Sequence, residues 1–69
     1  MYHLKIVTPE EVIYDDTVIS LIAPGTLGYF GILTDHAPMV STLKEGVLVI
    51  TPKDHKRLYY KIATGFLEV

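Results

Sequence analysis

The residue types of a hydrolase triad lie close together in this sequence, as Asp35, His36 and Ser41. A triad requires the carboxylate to hold one imidazole nitrogen while the other nitrogen faces the serine hydroxyl. Adjacent residues on one loop do not readily adopt that arrangement, so we expect Asp35 and His36 to bond to loop backbone groups or to make a surface contact. Catalysis by this set of residues stays a formal alternative.

Other chemistry-bearing residue types occur without the spacing that their functions need. Three histidines are far apart in sequence, with no second ligand at metal-site spacing: His3, His36 and His55. Three glycines recur at every third position, but they are not followed by the lysine and the helix that a phosphate-binding loop requires. They are Gly25, Gly28 and Gly31. Four carboxylates are more typical of turn residues than of an acid and base pair: Glu10, Glu11, Asp15 and Asp16.

The elements that would position these residues are short strands, since apolar and polar residues alternate with a period of two. The predicted strands are residues 2–7, 12–14, 17–23, 29–33, 39–43, 47–51, 57–63 and 66–69. Asp15 and Asp16 interrupt the alternation, so we expect a tight corner there. Gly31 lacks a side chain within its strand, which suggests a bulge or a close backbone approach.

This pattern predicts an all-β fold with close to no helix. Seven or eight short strands separated by turns are typical of a small β-sandwich or barrel with mostly antiparallel strands. Residues 17–23 carry apolar side chains on both faces, with Val18, Ser20 and Ile22 on one of them, so this strand is predicted at the centre of the core. The chain of 69 residues is expected to form one domain over residues 1–69.

Composition argues against several classes of protein. Six basic and eight acidic residues give a net charge of −2, which is the wrong sign for binding a nucleic-acid backbone. The chain has no cysteine, so disulfides and thiolate chemistry are absent. The longest aliphatic run, residues 47–50, is far shorter than the ~20 residues that span a bilayer, so no direct membrane insertion is expected. We predict a soluble, cytoplasmic domain.

Tyrosine is the commonest aromatic residue, with five tyrosines against two phenylalanines. Its ring and hydroxyl suit surfaces that are apolar yet form hydrogen bonds. Tyr29, in the glycine-rich stretch, and Tyr59, predicted on the face of its strand away from the core, are therefore candidate contact residues. From the residues alone, the chain is interpreted as a small β module that binds another protein, and an unrelated β-barrel interaction module remains an open alternative.

Five segments, in their order and spacing, closely resemble the N-terminal β-sandwich domain of the epsilon subunit of F-type ATP synthases, which is called delta in mitochondria. They are residues 2–10, 23–33, 36–39, 43–48 and 65–69. The resemblance covers essentially the whole chain. It departs from the family's usual pattern at Thr34 and Asp35, where proline with glycine or asparagine is common, and at Thr64, where a second glycine is common.

The resemblance implies a non-catalytic subunit of the central stalk, without metal or cofactor. Its implied partners are the gamma subunit and the cytoplasmic loops of the membrane-embedded c-ring, so that it helps to couple proton-driven rotation to ATP synthesis. The residues implied to face these partners are Tyr29, Phe30, Asp35 and His36. The implied location is the cytoplasmic side of the bacterial inner membrane, or the stromal side of the thylakoid, as a peripheral part of the complex.

The resemblance stops before the final strand and the C-terminal helical hairpin of that family. We therefore expect a truncated or naturally short subunit that lacks inhibition by the hairpin. Without the final strand, residues 66–69 or a neighbouring strand are expected to form an exposed sheet edge.

Overall fold

Antiparallel strands build this domain, in a computed structural model that describes residues 1–33 and 38–69. Within those residues the strands are β1 (Tyr2–Val7), β2 (Val12–Gly25), β3 (Gly28–Ile32), β4 (Val40–Leu43), β5 (Gly46–Pro52), β6 (Leu58–Ile62) and β7 (Gly65–Glu68). The described residues contain no helix, so the all-β prediction is confirmed. The observed bounds follow the predicted ones closely except in β2.

β2 is a single strand of 14 residues where the alternation predicts two strands. The predicted corner at Asp15 and Asp16 is wrong, because both residues stay in the ladder with β1, opposite Lys5 and Leu4 respectively. Both aspartates are exposed, and the Asp16 carboxylate accepts a hydrogen bond from the Thr17 amide at 2.7 Å. Aspartate is unfavourable in strands on average, but a paired backbone with solvated side chains outweighs that preference here.

A β-bulge reverses the alternation of β2 near its middle. Val18 and Ser20 pair with consecutive residues of β5, so Ile19 is an extra residue on β2. The buried residues change from even to odd positions across the bulge, since Val18 is followed by Leu21 and Ala23 in the core. The predicted shared face of Val18, Ser20 and Ile22 is therefore wrong, and Ile22 faces outward.

β2 passes through both layers of the sandwich. Its first half pairs with β1, and β7 and β4 continue that layer beyond β1. Its second half lies between β3 and β5, and β6 extends this second layer beyond β5. One further pair, Gly25 opposite Leu43, joins β2 back to β4. The long strand therefore ties the two layers together.

β7 is an interior strand, so the exposed edge is not at residues 66–69 themselves. β7 pairs with β1 on one side and with β4 on the other, and the Val69 amide donates to the Met39 carbonyl oxygen at 2.9 Å. β4 pairs with the side of β7 that faces away from β1, and the period-two alternation of the sequence does not predict this partner. The neighbouring strand β4, which was the alternative, has a single described pair on its other side, Leu43 with Gly25 of β2. In the part of the chain that the structure describes, β3 and β6 each pair with only one neighbour.

The core is apolar and comes from the inner faces of both layers. Its buried members are Tyr2, Leu4, Ile6, Val18, Leu21, Ala23, Ile32, Leu43, Leu48, Ile50, Ile62 and Leu67. Burying each large aliphatic side chain contributes about 1.5–3 kcal/mol to stability. The one polar atom that these side chains carry, the Tyr2 hydroxyl, donates to the Ile32 carbonyl oxygen at 2.7 Å and so joins β1 to β3.

Candidate interaction surface

The hairpin between β2 and β3 carries the first candidate contact residues. Its strands close at the pair Gly25 and Gly28, which leaves Thr26 and Leu27 as a two-residue loop. Gly28 has a φ of 124°, in a region that favours glycine, which explains the residue type at this point. Leu27 is fully exposed at the tip. The loop geometry therefore presents an apolar side chain directly to solvent.

Tyr29 is 59% exposed, yet its hydroxyl is engaged in the fold. The Val47 amide of β5 donates to the Tyr29 hydroxyl at 3.1 Å, so this side chain reaches from β3 across β2 to β5. Pro24, which lies opposite Tyr29 on β2, is buried. A Cβ at Gly46 would lie 2.7 Å from both the Tyr29 hydroxyl and Pro24 Cβ, so glycine is needed there. Tyr29 is thus an exposed aromatic residue whose hydroxyl is held in a fixed position.

Phe30 points to the opposite side of β3 from Tyr29 and packs against the core cluster. Its ring lies 2.8 Å from the place that a Cβ at Gly25 would take, so Gly25 makes room for it. The predicted bulge at Gly31 is absent, since β3 pairs with β2 in unbroken register. A Cβ at Gly31 would meet only the Leu21 carbonyl oxygen, at 3.6 Å, which also excludes the predicted close approach.

The outer face of β3, β2, β5 and β6 carries a cross-strand row of apolar residues. Ile22 lies opposite Gly31 on β3 and opposite Val49 on β5, and Val49 lies opposite Tyr59 on β6. Ile22 is 47% exposed and Tyr59 is 64% exposed. We call this row, with the neighbouring Tyr29, the apolar face. Such an exposed apolar surface is typical of a docking site for another protein.

The outer face of the other layer is charged instead. Lys5 of β1 lies between Asp15 of β2 and Glu68 of β7, so charges of alternating sign form a row across three strands. His3 Nε2 hydrogen-bonds to the Asp15 carboxylate in addition. An open groove of about 610 Å³ lies beside this row and is also lined by Val40. Charges of alternating sign on neighbouring strands are typical of a solvated face.

Comparison with known proteins decides the family. The family model described as "ATP synthase, Delta/Epsilon chain, beta-sandwich domain" matches residues 1–69. The chain belongs to this family. The ATP synthase epsilon chain of Protochlamydia amoebophila is 44% identical over 69 residues, which is 100% of this chain and 47% of that protein. The epsilon chain of Leptospira borgpetersenii is 43% identical over 67 residues, or 97% of this chain and 52% of that one.

A third relative, the ATP synthase epsilon chain of Sulfurovum sp., is 44% identical over 66 residues and covers 96% of this chain and 52% of that protein. The chain therefore spans about half the length of the curated relatives that it matches. The family match confirms the β-sandwich fold and the resemblance noted in the sequence. An unrelated β-barrel module is accordingly no longer supported.

Of the four predicted contact residues of this delta/epsilon chain domain, the structure describes two, Tyr29 and Phe30. Tyr29 is exposed and Phe30 is packed inward, as described above. Asp35 and His36 lie outside the described residues, so of the triad that was considered a formal alternative only Ser41 is described. The Ser41 hydroxyl donates to the Thr42 carbonyl oxygen at 3.3 Å.

Ile22 and Val49 are the surface residues that the sequence analysis missed. Both belong to strands with apolar residues on the two faces, where alternation cannot tell the core side from the outer side. Tyr59 was predicted away from the core and is exposed, in agreement with that prediction. The signal that could have found Ile22 is the bulge, which needs the register between β2 and β5.

Two tyrosines of the described chain have shifted acidity. Burial raises the pKa of Tyr2 to about 12. Burial is also the main cause that raises the pKa of Tyr14, with smaller effects from the charges of Asp16 and Asp54 and from Tyr60. The Tyr14 and Tyr60 rings meet edge to face, with centroids 6.2 Å apart. Because both pKa values are raised, the two phenols stay neutral to a higher pH than an unperturbed tyrosine does.

Neither a metal centre nor a membrane-crossing helix emerges from residues 1–33 and 38–69. These residues hold no group of three or more histidine, cysteine or carboxylate side chains that could bind a metal ion. The same ranges contain no helix long and apolar enough to cross a membrane. The arrangement of this delta/epsilon chain domain offers surfaces for protein contact.

Proposed function

We propose that this chain acts as a non-catalytic central-stalk subunit of a rotary ATP synthase. It binds the gamma subunit and the cytoplasmic loops of the c-ring, and it helps to couple proton-driven rotation to ATP synthesis. The match of the whole chain to the delta/epsilon β-sandwich family is the observation that carries this proposal. Residues 1–69 work as one domain, peripheral to the membrane, on the cytoplasmic side in a bacterium or the stromal side of a thylakoid.

The β2–β3 hairpin and the segment that follows it form the proposed contact site for these partners. The contact residues are Tyr29, Phe30, Asp35 and His36. Tyr29 contributes an exposed ring that its hydrogen bond to the Val47 amide holds in place. Phe30 contributes indirectly, since its packing against the core holds the hairpin rigid. A rigid aromatic residue loses little conformational entropy on binding, which favours it as an anchor.

Binding measurements with purified gamma subunit and detergent-solubilised c-ring test the proposal. The wild-type chain should bind at least one of them, and Tyr29→Asp should weaken that binding about tenfold or more by placing a charge in an apolar contact. Tyr29→Phe is the matched control: it keeps the ring but removes the hydroxyl that holds it in place, so its loss of binding should be much smaller than that of Tyr29→Asp. His36→Ala is expected to weaken binding also.

The outcomes separate the function from the site. A folded wild-type chain that binds neither gamma nor the c-ring would overturn the stalk role. Binding that persists unchanged in both Tyr29→Asp and His36→Ala would leave the role standing and move the contact site away from the hairpin. Circular dichroism of each variant checks that the β-sandwich is intact.

A further inference from the structure

β6 has a strand beside it on one edge only. In the part of the chain that the structure describes, its five residues, Leu58–Ile62, pair with β5 alone. An edge of this kind presents backbone N–H and C=O groups that can pair with a strand from another chain. β6 contains no proline, so each of its residues keeps the N–H that such pairing requires.

The Tyr29 hydrogen bond indicates which residues of β6 point their backbone groups at the open edge. The Val47 amide of β5 donates to the Tyr29 hydroxyl on the β3 side of the layer, so it points away from β6. In an antiparallel ladder, two opposite residues point their N–H and C=O groups either at each other or away from each other. Lys61 lies opposite Val47, so its groups point to the open edge, and those of Tyr59, two residues earlier, do the same.

A second copy of this chain presents the same edge. Two identical edges pair antiparallel about a two-fold axis. Residues that face each other must point their backbone groups in the same sense, either both towards the partner strand or both away from it. This condition places the axis at Tyr59, Tyr60 or Lys61. The axis at Tyr60, the central residue, pairs all five residues of β6, and either other position leaves part of the strand without a partner.

The charges favour the same register. With the axis at Lys61, the lysines of the two copies are directly opposite each other. With the axis at Tyr59, Lys61 faces Arg57, the residue just before β6. Like charges in opposite positions destabilise a sheet. With the axis at Tyr60, Lys61 of each copy faces Tyr59 of the other, and an ammonium group beside a tyrosine ring is a favourable pair.

The register at Tyr60 also satisfies the backbone and covers apolar surface. Tyr59 and Lys61 of the other copy exchange both of their N–H···O bonds, and the two-fold axis repeats this pair. On the inner side of the layer, Leu58, which is 37% exposed, faces Ile62 of the other copy. A lysine discourages pairing on most edge strands, but here it meets an aromatic ring instead of a second charge.

We propose that two copies of this chain pair through their β6 edges, antiparallel and with the axis at Tyr60. The β3–β2–β5–β6 layers of the two copies then form one continuous sheet. A pairing of five residues buries less surface than the ~1,200 Å² of a standard interface, so the dimer is weak and forms at high protein concentration. This inference does not rest on the proposed function, because it concerns copies of this chain alone.

Disulfide trapping tests the register directly, because the wild-type chain has no cysteine. Tyr59→Cys mixed with Lys61→Cys should cross-link under mild oxidation, since opposite Cα atoms in such a pair lie about 5.5 Å apart. Each variant alone should cross-link about tenfold more slowly or less, because its two cysteines would be more than about 7 Å apart. Val12→Cys mixed with Lys61→Cys is the control for random collisions, as Val12 is 47% exposed but lies on β2.

Sedimentation velocity provides the second readout. The wild type should shift from monomer towards dimer between about 20 μM and about 2 mM. Lys61→Pro removes an N–H that points away from β5, so the sandwich should still fold, which circular dichroism checks, but the dimer should be lost. Lys61→Ala is the matched control, because it keeps the N–H, and it should weaken the dimer by less than about tenfold.

Three results would overturn the inference. One is a wild type that stays monomeric up to about 2 mM. Another is a mixture of Tyr59→Cys and Lys61→Cys that cross-links no faster than the Val12→Cys control, or more slowly than either variant alone. The third is a folded Lys61→Pro that dimerises as strongly as Lys61→Ala, which would mean that the dimer uses another surface. No sample contains the gamma subunit or the c-ring, so the proposed function is tested separately.

Discussion

Tyr2→Phe is expected to destabilise the domain at neutral pH and to make it less sensitive to alkali. The Tyr2 side chain is 8% exposed, and its hydroxyl donates to the Ile32 carbonyl oxygen at 2.7 Å. Removing that donor deletes a buried hydrogen bond, at a cost of about 1 kcal/mol. Ionisation of the wild-type phenol removes the same donor and places a charge against the carbonyl oxygen.

The sign of the pH effect follows from the shift of the Tyr2 pKa from 10.0 to about 12 on folding. The folded state holds the proton more tightly, so the stability from Tyr2 is complete below pH 10 and falls as pH rises through 12. Linkage gives a loss of about 1.4 kcal/mol in the wild type at pH 11, from this residue alone. Tyr2→Phe lacks this loss, so the two unfolding free energies should cross near pH 11.

Urea denaturation of both proteins between pH 8 and pH 11.5 measures this crossing. The difference between wild type and variant cancels the contribution of Tyr14, whose pKa is also raised, provided that the fold is retained. A constant difference across this pH range would refute the reasoning, because it would mean that the Tyr2 phenol ionises as easily in the folded chain as in the unfolded one.

The remaining predictions concern single contacts in the sandwich. Tyr29→Phe should cost about 0.5–1 kcal/mol and speed hydrogen exchange at the Val47 amide, which loses its acceptor at 3.1 Å. Gly65→Ala should destabilise the fold by about 2 kcal/mol or more in denaturant titrations, since the added Cβ overlaps the Val7 carbonyl oxygen. Gly31→Ala is the control, with only a carbonyl oxygen at 3.6 Å, and should be neutral or stabilising by up to about 1 kcal/mol.

Most of the fold follows from local patterns in the sequence. Tyr2, Leu4 and Ile6 alternate with polar residues and all three are buried, as a half-buried strand requires. The turn between β1 and β2 is equally local, with the Thr8 amide donating to the Glu11 carbonyl oxygen at 2.9 Å. Such elements need no information from distant residues, so the chain's own alternation and turn residues are sufficient to predict them.

The parts that could not be predicted depend on strand partners. Asp15 and Asp16 break the apolar alternation, but β1 pairs with them and keeps the strand intact. The place of β7 depends in the same way on β4, which comes from a separate part of the chain. Gly31 shows the converse, since a glycine inside a strand need not mark a bulge when its neighbours pair in register. Pairing partners are a tertiary property that period-two patterns do not contain.

The candidate surface is a direct consequence of the β-bulge at Ile19 in β2. Without Ile19 as an extra residue, the alternation that buries Val18 would continue through Ser20 and Ile22 and bring them to the core side. With it, Leu21 turns inward and Ile22 turns outward, next to Val49 and Tyr59. The same bulge lies where β2 leaves its pairing with β1 for its pairing with β5. The same bulge therefore both joins the two layers and exposes the apolar face. A substitution that removes the bulge should disturb both features.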